Sequence, residues 1–208
     1  MRALPKGRRH APTTLYLVRH GESTWNAAGL LQGRTAIVPL TERGRAQAAR
    51  AAAALADRPI GAVWSSDLLR ARQTAALVAA AHGLPVRTVP ALREQGHGVW
   101  EGRPAAGRAE RLAAAGPDWA PPGGESARAL HTRVRMFLTR ALREPPTGEL
   151  VLVTHGETMR AALAALLGAP AEAMPRALPG NGAVLGARRD GPGGRWRLLA
   201  DVASAPRT

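Results

Sequence analysis

The segment 15–22 reads Leu-Tyr-Leu-Val-Arg-His-Gly-Glu, and it sets the architecture of the chain. Leu15–Val18 is a short apolar run of strand-forming residues, and it stops abruptly at Arg19. A buried parallel strand that leads into a loop has this pattern. We therefore expect Arg19 and His20 to lie at the carboxyl end of a strand.

Strands and helices alternate along the rest of the sequence. Further strands are predicted at 61–65, 86–89, 149–154, 183–187 and 196–199, and helices at 41–57, 67–81, 127–143 and 157–167. The segment 90–126 is less regular, as is typical of loops that cover a substrate. This alternation predicts an α/β fold, a three-layer sandwich whose mostly parallel central sheet is flanked by helices. Ligands bind outside the carboxyl edge of such sheets, so His20 and His155, each directly after a strand, mark a candidate site.

Composition narrows the class of protein. The 208 residues, 45% of them hydrophobic, can bury one core, so we expect a single domain with a flexible basic tail at 1–13. The net charge of +14 is carried by arginines that are spread through the predicted helices rather than clustered. Only one Phe and one Tyr are present to stack on bases. Both features argue against nucleic acid as a partner. Cysteine is absent, which excludes disulfides and a thiolate nucleophile. Without a membrane-length apolar segment, we expect a cytoplasmic protein with no membrane partner.

Residues at the predicted strand ends suit phosphoryl transfer. That reaction needs a nucleophile, cations around a group with nearly two negative charges, and an acid for the leaving oxygen. His20 can attack phosphorus through a neutral ring nitrogen and hold the phosphoryl group covalently. Arg19 supplies fixed charge and fork-shaped donors beside it. Alone this is a weak signal, since a histidine after a strand is more often structural.

Six motifs strengthen the signal. The run Leu17–Asn26, Leu-Val-Arg-His-Gly-Glu-Ser-Thr-Trp-Asn, closely resembles the signature of the histidine phosphatase superfamily, which includes the cofactor-dependent phosphoglycerate mutases. Five more segments resemble motifs of that family in the same order: 31–44, 65–75, 92–102, 122–126 and 153–156. The resemblance covers roughly residues 15–167 and implies a phosphoglycerate mutase-like fold.

Position by position, the resemblance implies roles for individual residues. The implied phosphate pocket consists of Arg19, His20, Arg70 and His155. Glu94 would protonate the leaving oxygen and later activate water. The further expected substrate contacts are Asn26, Gln32, Gly156 and Ser23. Neither a metal ion nor a cofactor is implied, because the arginines and a protonated histidine would neutralise the phosphoryl group.

Some assignments stay open in the sequence. Glu101 is a rival for the acid role of Glu94, and His97 either lines the pocket of the leaving group or only packs. The loop Arg34–Val38 lacks the aspartate that the family usually has and is one residue longer. The segment Trp119–Ser126 is similar to the matching part of glucosyl-3-phosphoglycerate phosphatases. The number of subunits is also open, and a homodimer is one option.

Three functions compete at this stage. The first is a phosphatase that acts on a small phosphorylated metabolite through a phosphohistidine on His20. The second is a phosphoglycerate mutase, which the shorter chain disfavours. The third is a basic nucleic-acid-binding or regulatory protein on a non-catalytic scaffold, against which the intact set of active-site residues argues.

Overall fold

A computed structural model describes residues 13–175, 177, 179–191 and 193–199, with the side chains of residues 109 and 113 excepted. The predicted tail at 1–13 therefore lies outside the described residues, except for Thr13, which is the first residue of a strand. In the described part of the chain, no helix is both long enough and apolar enough to cross a membrane.

The described strands form one sheet. They are β1 (Thr13–Arg19), β2 (Ile60–Ser65), β3 (Val86–Thr88), β4 (Glu149–Thr154), β5 (Val184–Arg189) and β6 (Trp196–Leu198). Their order is β3-β2-β4-β1-β5-β6. The first four strands pair in parallel, while β5 is antiparallel to β1 and β6 is antiparallel to β5. The mostly parallel sheet is confirmed, and each strand end lies within two residues of its predicted position.

The described α-helices are α1 (Thr24–Ala27), α2 (Glu42–Leu55), α3 (Leu69–Ala80), α4 (Arg108–Ala114), α5 (Ala127–Ala141) and α6 (Gly156–Leu166). Thr41 caps α2 as predicted, because its hydroxyl accepts the Gly44 amide at 2.9 Å. The segment 90–126, predicted to be less regular, contains the short helix α4, which was not predicted. Gly107 leads into this helix at φ 73°, a backbone conformation that favours glycine.

The central strand β1 joins two hydrophobic cores. Leu15 and Leu17 pack with residues of α5 and α6. Tyr16 and Val18 point the other way and pack with residues of α2 and α3. Because side chains alternate across a strand, a strand that is apolar at every position must be covered on both faces. The predicted three-layer sandwich is therefore confirmed.

The strand order creates a crevice at the carboxyl ends of β1 and β4. The chain leaves β1 through α2 towards β2, on one face of the sheet. It leaves β4 through α6 towards β5, on the other face. Connections that diverge in this way leave room for a ligand between them. His20 follows β1 at this point, and its amide donates to the Thr154 carbonyl on β4 at 2.9 Å.

Two glycines let the loop after β1 touch the start of α2. A Cβ atom at Gly21 would lie 2.1 Å from the Gly44 carbonyl oxygen, and one at Gly44 would lie 1.9 Å from the Glu22 carbonyl oxygen. Both distances are impossible for a real side chain. This backbone contact fixes the direction of the loop that carries His20.

We predict that Gly44→Ala lowers the free energy of unfolding by about 1–3 kcal/mol, because the added methyl group forces two backbone segments apart. Alanine gains up to about 1 kcal/mol over glycine inside a helix, which is too little to offset the clash. Urea unfolding followed by circular dichroism measures the difference. Gly116→Ala is the matched control, since its Cβ atom meets nothing within 4 Å. A Gly44→Ala protein as stable as wild type would show that the contact is looser than described.

Candidate active site

The two strand-end histidines meet in the crevice. The ring centroids of His20 and His155 are 5.0 Å apart, with an angle of 61° between the ring planes. Their exposed fractions are 2% and 0%. The structure thus brings together two residues that are far apart in sequence and buries both.

His20 is oriented through its own neighbour. Its Nδ1 lies 2.6 Å from the Gly21 carbonyl oxygen, and a carbonyl oxygen only accepts hydrogen bonds. Nδ1 therefore carries the proton, and Nε2 of the neutral ring keeps its lone pair. Burial, together with the positive charges of Arg70 and Arg19, lowers the pKa of His20 well below 6.5. The ring is neutral at neutral pH, which is the form that can act as a nucleophile.

His155 is held by a hydroxyl group that the sequence analysis did not single out. Its Nε2 lies 2.8 Å from Ser66 Oγ. Its Nδ1 is buried and has no hydrogen-bond partner among the described residues. Burial and the charge of Arg70 lower the pKa of His155 well below 6.5. The protein by itself therefore keeps this ring neutral, while a bound phosphate dianion would favour the protonated form.

Arg19 and Arg70 bring buried positive charge to the same place. Arg70 is fully buried, and its two terminal nitrogens donate to the carbonyls of Thr35 at 3.0 Å and Gly33 at 2.8 Å. Burial lowers the pKa of Arg70 to about 10. Arg19 donates to the Pro179 carbonyl.

The Nε–H groups of both arginines are buried without an acceptor among the described residues. Within the same described part, neither arginine has a carboxylate at ion-pair distance. The pocket therefore presents unused donors and positive charge without an ion-pair partner, which an oxyanion can satisfy.

Glu94 sits at the amino terminus of α6. Its Oε1 accepts from the Thr158 amide at 3.1 Å and from the Thr158 hydroxyl at 3.2 Å, and its Oε2 accepts from the Glu157 amide at 3.2 Å. A helix start favours a carboxylate in this position. Glu94 is near enough to Arg19 and Arg70 for its charge to act on both. Gly156, at the start of the same helix, also lies at this edge of the sheet.

Glu157 is a second acidic group beside Glu94 that the sequence analysis missed. Burial and the charge of Glu94 raise the pKa of Glu157 to about 7, against the opposing effect of Arg160. Arg160 Nη1 lies 2.6 Å from Glu157 Oε2. Only the position of Glu157, two residues after His155, could have pointed to it.

Ser23, Asn26 and Gln32 form one hydrogen-bonded group next to His20. Ser23 Oγ lies 3.0 Å from Asn26 Oδ1 and 2.7 Å from Gln32 Oε1, and it caps α1 by accepting the Asn26 amide at 3.2 Å. Asn181, also missed from sequence, links Asn26 to the His20 carbonyl. Ser23 is fully buried, so its hydroxyl supports the partly buried Asn26 and Gln32 from behind.

The two residues whose roles the sequence left open, Glu101 and His97, lie in different surroundings. Glu101 accepts three hydrogen bonds from neighbouring groups, which ties it to the protein scaffold. His97 is 5% exposed, and its Nδ1 is buried without a partner among the described residues. Burial lowers the pKa of His97, against the opposing charges of Glu94 and Glu101. In the part of the chain that is described, no group of three or more His, Cys, Asp or Glu could hold a metal ion.

Comparisons with known proteins agree with this geometry. A family model described as the histidine phosphatase superfamily (branch 1) matches residues 15–202. The probable phosphoglycerate mutase GpmB of Yersinia pestis (strain Pestoides F) is 39% identical over 170 residues, which is 76% of this chain and 77% of the relative.

Two solved structures are similar over nearly the whole chain. A mycobacterial glucosyl-3-phosphoglycerate phosphatase has a TM-score of 0.80 at 32% identity, covering 93% of this chain and 100% of its own. The alpha-ribazole phosphatase of Shigella flexneri has a TM-score of 0.78 at 31% identity, covering 94% of this chain and 100% of its own.

We predict that Arg70→Gln raises the pKa of both His20 and His155, because Arg70 is the charged group that lowers each of them most. Titration of the imidazole signals by NMR measures the change, and the amide spectrum reports whether the fold is kept. Arg72→Gln is the matched control, since Arg72 lies exposed on the same helix. Unchanged titration of both rings in a folded Arg70→Gln protein would contradict the described packing.

Proposed function

We propose that this chain, which belongs to branch 1 of the histidine phosphatase superfamily, hydrolyses a small phosphomonoester through a phosphohistidine on His20. The observation that carries the proposal is the orientation of His20. Its Nδ1 proton is engaged by the Gly21 carbonyl, so the Nε2 lone pair is free in a pocket that contains the positive charges of Arg19 and Arg70.

In the first step, Nε2 of His20 attacks phosphorus. A P–N bond forms as the P–O bond to the leaving group breaks, and the protonated carboxyl group of Glu94 gives its proton to the leaving oxygen. Arg19, Arg70 and His155 donate hydrogen bonds to the transferring oxygens. By analogy with the removal of an oxyanion-hole donor, each of these contacts contributes about 3 kcal/mol to stabilisation of the transition state.

In the second step, water replaces the leaving group. The carboxylate of Glu94 takes a proton from water as its oxygen attacks phosphorus, and the P–N bond breaks. Inorganic phosphate leaves, while Glu94 is protonated again and His20 recovers its lone pair. The arginines and histidines compensate the phosphoryl charge in both steps, so the scheme needs no metal ion.

The solved relatives favour hydrolysis over isomerisation. Both are named as phosphatases, and each is similar to more than nine-tenths of this chain. We therefore expect a phosphorylated metabolite as substrate, with the leaving group chosen by the loops around residues 96–122. Mutase activity is the second candidate, because the relative at 39% identity is named as a probable phosphoglycerate mutase.

We predict that His20→Ala removes phosphatase activity while the protein stays folded, and that wild type forms an acid-labile phosphoenzyme. Glu94→Gln should accumulate the phosphoenzyme from p-nitrophenyl phosphate, because this leaving group departs without an acid while hydrolysis of the intermediate still needs a base. Quenching the 32P-labelled protein in alkaline SDS preserves the intermediate for counting, and loss of the label on later acidification identifies the phosphohistidine. Glu110→Gln, at an exposed carboxyl group on α4, is the matched control.

Two results would overturn the scheme. Full activity of His20→Ala would remove the assigned nucleophile, and a Glu94→Gln protein that turns over like wild type would remove the assigned base. Incubation with 3-phosphoglycerate and a bisphosphoglycerate primer separates the two candidate functions. We expect net release of phosphate, and isomerisation without release would establish the mutase instead.

A further inference from the structure

The loop after α1 (residues 33–38), which differs from the family pattern, contacts both Arg70 in the phosphate pocket and the segment that carries Glu94. Its backbone carbonyls at Gly33 and Thr35 accept the two terminal nitrogens of Arg70. The Ala36 carbonyl accepts the Leu69 amide at 2.9 Å, at the start of the helix that carries Arg70. These contacts use backbone atoms, so they do not depend on the side chains of the loop.

Glu101 fastens the same loop to the segment that follows Glu94. Its Oε1 accepts the amides of Arg34 at 2.9 Å and His97 at 3.0 Å, and its Oε2 accepts the Thr35 hydroxyl at 2.9 Å. The fit is tight, since a Cβ atom at Gly33 would lie 2.1 Å from Glu101 Oε1. The backbone of the loop is thus anchored independently of the Arg34 side chain.

The Arg34 side chain crosses from this loop to the proton donor. Its Nε donates to the backbone carbonyl of Glu94 at 3.3 Å, and its Nη2 lies 2.8 Å from Glu125 Oε1. Glu125 is held in turn by Arg133 through hydrogen bonds of 2.9 Å and 2.8 Å. The guanidinium packs over Gly96, where a Cβ atom would meet Arg34 Nε at 3.5 Å.

We propose that Arg34 is a positioning residue that holds Glu94 in place for proton transfer to the leaving group. This inference rests on the proposed function. The Glu94 carbonyl accepts from Arg34 and, at 3.4 Å, from Arg133, while the Glu157 and Thr158 amides hold the Glu94 carboxylate from the other side. The phosphate pocket has its own backbone anchors, so loss of Arg34 acts on the acid and spares the binding of the phosphoryl group.

Magnitudes separate this role from a purely structural one. The Arg34 side chain is 40% exposed, and exposed ion pairs contribute little to stability. A small displacement of a reacting group, in contrast, costs up to about 100-fold in rate. Arg34 is therefore expected to affect catalysis far more than folding.

The test uses a series of aryl phosphates that have similar shapes and different leaving groups. The leaving group of phenyl phosphate is phenoxide, whose conjugate acid has a pKa of about 10, like the phenol group of tyrosine. Its departure therefore needs an acid. p-Nitrophenyl phosphate releases a much weaker base. The readout is the single-turnover rate of the first step, measured as release of the aryl leaving group, because the second step needs Glu94 whichever ester is used. We expect Arg34→Met, which keeps the aliphatic stem, to lower this rate by about 10-fold to 100-fold for phenyl phosphate and by less than about twofold for p-nitrophenyl phosphate.

Two further variants control the experiment. Arg34→Lys keeps a cation and should recover part of the loss with phenyl phosphate. Arg50→Met, at an exposed position on α2, should match wild type with every substrate. Equal losses of the first-step rate with both esters, a raised KM with an unchanged first-step rate, or no loss at all would each overturn the role of Arg34. Wild-type protein that hydrolyses neither ester would overturn the proposed function itself.

Discussion

Buried positive charge without a carboxylate partner is the constraint on which the active site depends. Arg70 is fully buried, and the groups that accept its terminal N–H bonds are neutral carbonyls. An uncompensated ion in the protein interior costs several kcal/mol, and the lowered pKa of Arg70 reflects this cost. In the proposed reaction, a phosphoryl dianion would supply the missing charge. Burial and the charge of Arg70 also keep His20 neutral, which is the form that the proposed nucleophile needs.

The fold delivers these groups to one point through strand order. β1 and β4 are neighbours in the sheet, so His20 and His155 follow adjacent strands at the same edge. The close approach of Gly21 to Gly44 then turns the loop after β1 back against α2. Tight packing makes this geometry stiff, because backbone contacts of this kind leave no room for adjustment. The positions of the active-site groups are therefore fixed by tight packing around the strand Thr13–Arg19.

The main elements of the fold and the candidate active-site residues could both be predicted from the sequence, but for different reasons. The strand around Leu15–Val18 is apolar at every position, and Thr41 is a clear helix cap, so local sequence predicted both elements. The active-site residues came from motif resemblance, and the structure places His20, Arg19, Arg70, Glu94 and His155 at the predicted edge of the sheet. Their chemical roles stay predictions.

The supporting contacts could not be predicted, because they join residues that are distant in sequence. Ser66 meets His155 across 89 positions, and Thr158 meets Glu94 across 64. Such contacts depend on how the helices and loops pack against the sheet, which no local sequence pattern determines. Ser23 is fully buried and hydrogen-bonded to Asn26 and Gln32, and its expected contact with substrate stays a prediction.

A crystal structure with orthovanadate, which mimics a phosphoryl group in transfer, tests most directly whether the arginines and histidines form one phosphate pocket. We expect vanadium bonded to Nε2 of His20, with its oxygens accepting hydrogen bonds from Arg19, Arg70 and His155. Vanadate bound elsewhere, or bound here with Nε2 of His20 turned away, would contradict it.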